Sequence, residues 1–154
     1  MNSDPDKAVV EAHDPVYTIG VIARKMSVSP QTLRLYERKG LVIPYRTETR
    51  RRLYSQVDLE WIACIRRQIG GNKLTISGLR RLLSLIPCWE IKPCGVNDRE
   101  ACAAYISCEE VCWNLEETGE RCKSEDCRIC GVYRSAAKVE SFKEFYKMSL
   151  KPSA

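Results

Sequence analysis

The chain has 154 residues, enough for one compact domain or two small ones. It contains no apolar run of the roughly 18 residues that a membrane span requires, and its first residues are polar and acidic, so we expect a soluble cytoplasmic protein with neither a membrane span nor a secretory leader. The net charge of +5 is segregated: residues 17–86 hold fourteen Lys and Arg against four Asp and Glu, residues 87–131 hold five against ten, and concentrated positive charge is the footprint of phosphate binding.

The first helices follow an acidic stretch, residues 1–14, which lacks periodicity and is predicted to be a disordered tail. Thr18 can cap a helix over Ile19–Met26, which has one apolar face. Residues 27–28 then form a tight turn into a second helix. Two short helices joined by a few residues predict a helix-turn-helix.

The second helix has clear boundaries in the sequence. Ser29 can accept an amide hydrogen bond as the N-cap, Pro30 suits the first helical position, and Gly40 can end the helix in the left-handed conformation. Leu33 is its main apolar anchor. The residues expected to face outward are Gln31, Thr32, Arg34 and Arg38. A short capped helix with these side chains fits the major groove and can read base edges there, so we predict a DNA recognition helix.

A basic segment follows this helix. Residues 41–44 are a short extended run, and Tyr45–Tyr54 contains four arginines in ten residues. A basic loop between two extended pieces is typical of a wing that reaches backbone phosphates, which arginine can bind through two parallel hydrogen bonds. The alternative is a flexible charged loop without a partner.

Two further helices complete the basic half. Ser55 and Asp58 form a capping box that opens the first of them, which ends at glycines 70 and 71. The residues predicted for its core are Leu59, Ile62, Ala63, Ile65 and Ile69, with Trp61 at the edge and Cys64 as a buried structural thiol. Thr75 can cap the second helix, Ile76–Ile86, and Pro87 closes the domain.

These segments resemble the DNA-binding domain of the MerR family of bacterial transcription regulators. The similar text is YTIGVIAR at Tyr17–Arg24, VSPQTLRLYERKGL at Val28–Leu41, RRLYS and DLEWI within Arg51–Ile62, and LTISGLRRLL at Leu74–Leu83. It covers about seventy residues, and its SPQTLR and RRxY text is similar to the heat-shock-repressor branch.

The resemblance implies a winged helix-turn-helix that binds a two-fold operator in double-stranded promoter DNA as a homodimer. Such a protein affects RNA polymerase indirectly, by deforming the promoter. The residues that the resemblance implies to contact DNA are Thr32, Arg34 and Tyr36 on the helix and Arg52 and Tyr54 on the wing. The basic loop itself adds Arg50 and Arg51 as predicted DNA contacts. The chain departs from the family at Leu35, where many members have a second tyrosine, and at residues 50–51, where they have Gly-Tyr. These departures leave the operator sequence open.

Cysteine dominates the segment after Pro87. Eight thiols lie within forty-three residues: Cys88, Cys94, Cys102, Cys108, Cys112, Cys122, Cys127 and Cys130. They are enough for two four-coordinate sites that would bind zinc or an iron–sulfur cluster, and no histidine is available to complete such a site. Only the last two cysteines have a familiar chelate spacing, and two Cys-Trp pairs twenty-four residues apart hint at a duplication.

Three interpretations of these cysteines stay open: a metal or iron–sulfur site, a reversible thiol–disulfide sensor, and inert core residues. A sensor is favoured if the pKa of Cys127 or Cys130 is depressed. A catalytic thiol oxidoreductase is not favoured, because the Cys127–Cys130 motif does not follow a strand in a βαβ pattern. We therefore expect no enzyme.

Val132–Leu150 carries an apolar stripe that predicts a C-terminal helix and a dimer contact, or else a helix packed on its own cysteine module. The predicted fold is mainly α. A disordered tail spans 1–14, a winged helix-turn-helix DNA-binding domain 15–87, a small cysteine-rich module 88–131, and the C-terminal helix 132–150.

The predicted function is therefore sequence-specific regulation of transcription, with a cysteine module that responds to metal or redox state. One alternative is a thiol-dependent redox or metal-carrier protein that retains a DNA-binding-like fold. Another is a zinc-stabilised architectural DNA binder without a signal input.

Overall fold

The computed structural model describes residues 12–107, 109–136 and 147. The chain divides into two compact units, one that ends at Asn72 and one that begins at Lys73. Within the described residues, no helix has the length and apolar character needed to cross a bilayer. Most of the predicted disordered tail and of the predicted C-terminal helix, as well as Cys108, lie outside the described residues.

The boundary between the units lies earlier than the predicted one at Pro87. The helix that follows Thr75 belongs to the second unit, where two ion pairs, Arg80 with Glu110 and Arg81 with Glu109, join it to the cysteine segment. Local helix signals do not carry this information, because the two partners are about thirty residues apart.

From Tyr17 onward, the first unit contains a three-stranded sheet and three α-helices. Its elements in chain order are β1 (Tyr17–Thr18), α1 (Ile19–Met26), α2 (Pro30–Arg38), β2 (Tyr45–Arg46), β3 (Arg52–Tyr54) and α3 (Gln56–Arg66), which continues as a π-helical turn over Arg67–Gly71. β3 is the central strand and pairs antiparallel with β1 and β2. The sequence did not predict β1, since two residues carry no alternation.

The predicted caps set the helix starts of this unit. The Thr18 hydroxyl accepts from the Val21 N–H at 3.4 Å, and the Ser29 hydroxyl accepts from the Thr32 N–H at 3.1 Å. The capping box is complete: Ser55 Oγ accepts from the Asp58 N–H at 3.2 Å, and Asp58 Oδ2 accepts from the Ser55 N–H at 2.7 Å. Each cap satisfies amides that the first turn leaves without helical partners.

Trp61 lies in the core, and the prediction that it sits at the edge of α3 is wrong. Its side chain is 2% exposed, and its indole N–H donates to the Leu41 carbonyl at 2.7 Å. A buried indole needs an acceptor, and this one lies just after α2, far away in the sequence. The other fully buried side chains of this unit include those of Ile22, Leu33, Tyr54, Ile62 and Ile65.

The second unit consists of short helices. They are α4 (Ile76–Ser84), α5 (Cys88–Ile91), α6 (Val96–Glu100), α7 (Ala103–Ile106), α8 (Glu120–Lys123) and α9 (Gly131–Ala136), with 3₁₀ turns at Cys112–Asn114 and Cys127–Ile129. α4 starts at the predicted cap, because the Thr75 hydroxyl accepts from the Gly78 N–H at 2.9 Å, but it ends at Ser84, before the predicted Ile86.

Asp98 fixes the start of α8 from a distant part of the chain. Its carboxylate accepts the Glu120 N–H at 2.7 Å and the Arg121 N–H at 3.5 Å, as an acid at a helix start should. Gly119 permits this approach, since a Cβ there would lie 2.7 Å from an Asp98 oxygen. The contact places Cys122, on α8, against the rest of the unit.

Candidate functional site

The outer face of α2 carries the polar side chains that the sequence predicts. Gln31 and Arg38 are exposed, Thr32 and Arg34 are partly exposed, and Leu33 is buried. Thr32 Oγ1 lies 2.9 Å from Ser29 Oγ, so the cap also orients the Thr32 side chain. The helix therefore presents a polar, cationic row of the kind that reads base edges in a major groove.

Tyr36 and Tyr54, which the resemblance placed at the DNA, lie in the core, with exposures of 6% and 1%. Burial raises the pKa of Tyr36, and burial together with the Glu37 carboxylate raises that of Tyr54 to about 12. Tyr36 follows Leu33 by three residues and so shares its inward face. We therefore assign both rings to packing.

The wing is the hairpin formed by β2, β3 and residues 47–51 between them. Tyr45 pairs with Leu53 and Arg46 pairs with Arg52. At its tip the Thr47 N–H donates to the Arg51 carbonyl at 3.0 Å, and the Arg51 N–H donates to Thr47 Oγ1 at 3.0 Å. One backbone hydrogen bond and one hydrogen bond to the Thr47 side chain thus close the predicted basic loop.

Arg50 occupies a backbone conformation that favours glycine. Its φ is 63°, in the left-handed region, where a residue with a Cβ costs about 1–2 kcal/mol. Here the family pattern has a glycine and this chain has an exposed arginine. Arg50 therefore adds backbone strain, and it also adds a positive charge at the wing tip.

Glu37 connects the recognition helix to the wing. Its carboxylate forms ion pairs with Arg46 of β2 and Arg52 of β3, one oxygen to each. The Glu37 side chain is 19% exposed and that of Arg52 28% exposed, so water screens this pair only in part. Arg52 and the more exposed Arg46 are therefore engaged within the domain, and Arg50 and Arg51 are exposed arginines at the tip of the wing.

Sequence reasoning missed this Glu37 bridge. Glu37 is the only acid between Arg34 and Lys39, and an isolated acid inside a basic segment is a signal that could have been read. Its partners could not be identified, since the wing is nine and fifteen residues further along the chain.

The second unit encloses a cavity of about 70 Å³ lined by cysteine. Seven of the eight predicted cysteines line it: Cys88, Cys94, Cys102, Cys112, Cys122, Cys127 and Cys130. The eighth, Cys108, lies outside the described residues, and Cys64 is buried in the first unit, as predicted. The structure thus brings together residues that are up to forty-two positions apart in the sequence.

Two similar aromatic pairs form the walls of this cavity. Trp89 packs edge-on against Tyr105, with ring centroids 5.1 Å apart and an interplanar angle of 75°. Trp113 packs against Tyr133 with the same separation and an angle of 80°. Each tryptophan belongs to one of the two Cys-Trp pairs, so the duplicated text corresponds to two similar pieces of wall around one cavity.

Burial suppresses ionisation of two thiols of the cavity. It raises the pKa of Cys112 to about 12, with further increases from the nearby Cys88, Cys127, Cys130 and Cys122. Burial and neighbouring thiols likewise raise the pKa of Cys88 to about 11. Without a bound cation, these sulfurs are protonated and poor nucleophiles at neutral pH.

A lysine supplies positive charge to the same cavity. The Lys92 side chain is 12% exposed and forms an ion pair with Glu125. Burial raises the pKa of Cys122 and Cys127, and the ammonium of Lys92 opposes that rise in both. The Gly119 N–H donates to Cys102 Sγ at 3.2 Å, so a backbone amide also faces a sulfur.

The sulfurs surround the cavity and do not converge on a point. In the described part of the chain, no three Cys, His, Asp or Glu side chains already stand where they could hold one metal ion. All eight described cysteines are free thiols. Seven of the eight thiols that could fill two four-coordinate sites thus line one cavity, and how they divide between metal ions stays a prediction.

Comparison with known proteins addresses the first half of the chain. The model of the MerR helix-turn-helix family of regulatory proteins matches residues 17–86. A putative heat shock protein HspR of Streptomyces coelicolor is 39% identical over 71 residues, which are 46% of this chain and 47% of that protein. The transcriptional regulator MlrA of Escherichia coli is 39% identical over 70 residues, 45% of this chain and 28% of MlrA.

A third relative has a similar overlap. The transcriptional regulator ZntR of Escherichia coli is 37% identical over 73 residues, which are 46% of this chain and 50% of ZntR. The chain therefore spans half or less of the length of these curated relatives. All three are similar over a stretch about as long as the helix-turn-helix match.

Proposed function

Residues 17–86 form a helix-turn-helix domain of the MerR family, and we propose that the chain is a homodimeric, sequence-specific regulator of transcription whose cysteine-rich unit responds to metal or redox state. The observation that carries the proposal is the joined surface of α2 and the wing. A polar helix face and an arginine loop are held together there by Glu37. Such a surface can contact bases and phosphates at the same time.

The two parts of this surface have different roles. Arg34, on the outer face of α2, reads base edges, for which arginine paired with guanine is the commonest specific contact. The exposed Arg50 and Arg51 bind phosphates and add affinity for any duplex. Arg52 acts through its ion pair with Glu37, which holds the wing against the helix.

The partner is double-stranded promoter DNA, bound by two copies of the chain at a two-fold operator. This part rests on the family, in which promoter deformation affects RNA polymerase indirectly. The proposal includes a cytoplasmic location, because promoter DNA is the partner. The predicted dimer contact over Val132–Leu150 falls largely outside the described residues, and α9, its described start, packs against α5 of its own unit.

The cysteine unit supports a metal site better than a reactive thiol. Burial raises the pKa of Cys127, the opposite of what a disulfide sensor needs, and it also raises that of Cys112 to about 12. Zinc or iron would displace these protons, because metal binding requires thiolates. The same observation counts against the alternative of a thiol-dependent redox enzyme.

A competition assay tests the proposal. The full chain is titrated with a labelled duplex from upstream of its own coding region, at several salt concentrations and with random competitor DNA. We expect the upstream duplex to outcompete random DNA and the affinity to fall steeply with salt. Equal affinity for both duplexes would refute sequence-specific binding.

A further inference from the structure

The lining of the cysteine cavity indicates which kind of metal centre it suits. It is lined by seven described sulfurs, which come from both ends of the segment, Cys88 at one end and Cys122, Cys127 and Cys130 at the other. A tetrahedral zinc ion takes four ligands, with sulfurs roughly 3.8 Å apart at zinc–sulfur bonds of about 2.3 Å. Because the sulfurs line a cavity, they suit a metal centre of several atoms better than a single metal ion.

We propose that this cavity holds a single iron–sulfur cluster, ligated by thiolates from both Cys-Trp segments and from residues 122–130, with Cys112 as one of the ligands. The inference rests on the proposed function, since it specifies the centre of the same cysteine unit. Iron–sulfur clusters are bound by four thiolates and enclose inorganic sulfide, so the cluster fills space between ligands that do not touch.

The walls of the cavity suit such a cluster. Trp89, Tyr105, Trp113 and Tyr133 form two edge-to-face pairs that give the cavity apolar walls beside the sulfurs. Burial and hydrogen bonds to sulfur are the means by which proteins tune these clusters. The amide of Gly119 supplies one such hydrogen bond, to Cys102.

The charges around the cavity also match. Four thiolates carry more negative charge than the iron–sulfur core carries positive charge, and a buried anion needs nearby cations. Lys92 and Arg99 both line the cavity, and the Lys92 side chain is only 12% exposed although residues 87–131 hold five Lys and Arg against ten Asp and Glu. A cation in this position has a clear role beside an anionic centre.

The test uses the full chain, purified without oxygen and then treated with ferric iron and sulfide in the presence of a dithiol, which reduces part of the iron where the cluster needs ferrous iron. We expect iron and acid-labile sulfide in equal amounts, at the stoichiometry of one 2Fe–2S or 4Fe–4S cluster per chain, and a broad visible absorption band. Zinc without sulfide, iron without sulfide, or no retained metal would each overturn the inference.

Variants locate the centre. Cys112→Ser should lose iron and sulfide together, whereas Cys64→Ala, which changes a buried thiol of the other unit, should keep both. Cys130→Ser repeats the test at a less buried position in case Cys112→Ser does not fold, as judged by circular dichroism. A folded Cys112→Ser protein with full iron and sulfide would contradict the assignment.

The same preparations are titrated with the upstream duplex. Specific DNA binding by a protein that holds only zinc refutes the cluster and leaves the proposed function standing. A cluster in a protein without specific DNA binding refutes the proposed function and leaves the cluster standing. The two failures are therefore distinguishable.

Discussion

Replacing Glu37 by glutamine should weaken DNA binding, although it removes a negative charge from a surface that binds phosphate. Glu37 pairs with Arg46 and Arg52, and its side chain is 19% exposed. Glutamine keeps the size and a hydrogen-bonding group but loses the charge. Without the Glu37 ion pairs, the wing is held against α2 in a smaller fraction of molecules. DNA binding must then supply the free energy that positions the wing, which lowers the affinity.

The size of the effect follows from the exposure of the three side chains. Exposed ion pairs contribute about 0.2–1 kcal/mol, and hydrogen bonds to charged groups about 1.5–3 kcal/mol. Arg52 is 28% exposed and Arg46 42% exposed, so the second pair is discounted. A total of about 1–2 kcal/mol corresponds to a loss of roughly 5- to 30-fold in affinity.

Glu48→Gln is the matched control. Glu48 is an exposed acid of the wing, and its replacement removes the same charge close to the same surface. Fluorescence anisotropy with the upstream duplex should show slightly tighter binding for the Glu48 variant and weaker binding for the Glu37 variant. Equal or tighter binding by Glu37→Gln would show that the bridge does not position the wing.

Four other substitutions test single steps of the account. Arg34→Ala should relax sequence preference by about 1–3 kcal/mol at one base pair, whereas Arg51→Ala should weaken binding to all duplexes and lower the salt slope by about one. Both are measured with a set of single-base operator variants. Equal effects on all duplexes from both changes would refute the division of roles. Arg50→Gly should stabilise the domain by about 1 kcal/mol in urea unfolding, because φ is 63°, and yet weaken DNA binding; a loss of stability would argue against strain. Ser55→Ala should destabilise by about 1–2 kcal/mol, as followed by far-ultraviolet circular dichroism, because Asp58 is fully buried in the capping box; an unchanged midpoint would contradict this.

Local chemistry explains what could be predicted from the sequence. The caps at Thr18, Ser29, Ser55 and Thr75 are all confirmed, because each depends on a residue and the amide three positions later. The left-handed φ of 74° at Gly40 follows from the absence of a Cβ. The wing hairpin is confirmed for a similar reason, since its strands are adjacent in the chain.

Features that depend on distant partners were missed or misplaced. Trp61 looked peripheral by helical spacing, but the Leu41 carbonyl accepts its N–H from another part of the fold. The rings of Tyr36 and Tyr54 were assigned to DNA and lie in the core. For Trp61 the deciding contact joins residues that are twenty positions apart in the sequence, whereas Tyr36 shares the inward face of α2 with Leu33.

The cysteines illustrate the same limit. Their number predicted a thiol-rich site, but their spacings matched no standard motif, and two separate sites were as reasonable as one. Only the fold shows that seven of them line a common cavity. The Cys-Trp repeat was the one signal of this arrangement, because each copy supplies a similar aromatic pair to the wall.

Selection of bound duplexes from a randomised DNA pool tests the central claim most directly. If α2 and the wing of two copies bind one site, the enriched sequences should form an inverted repeat whose half-sites are about one helical turn, or a multiple of it, apart. Arg34→Ala should lose part of that preference at one position in each half-site. A pool that shows no enrichment, although the protein is folded and binds DNA, would contradict the claim.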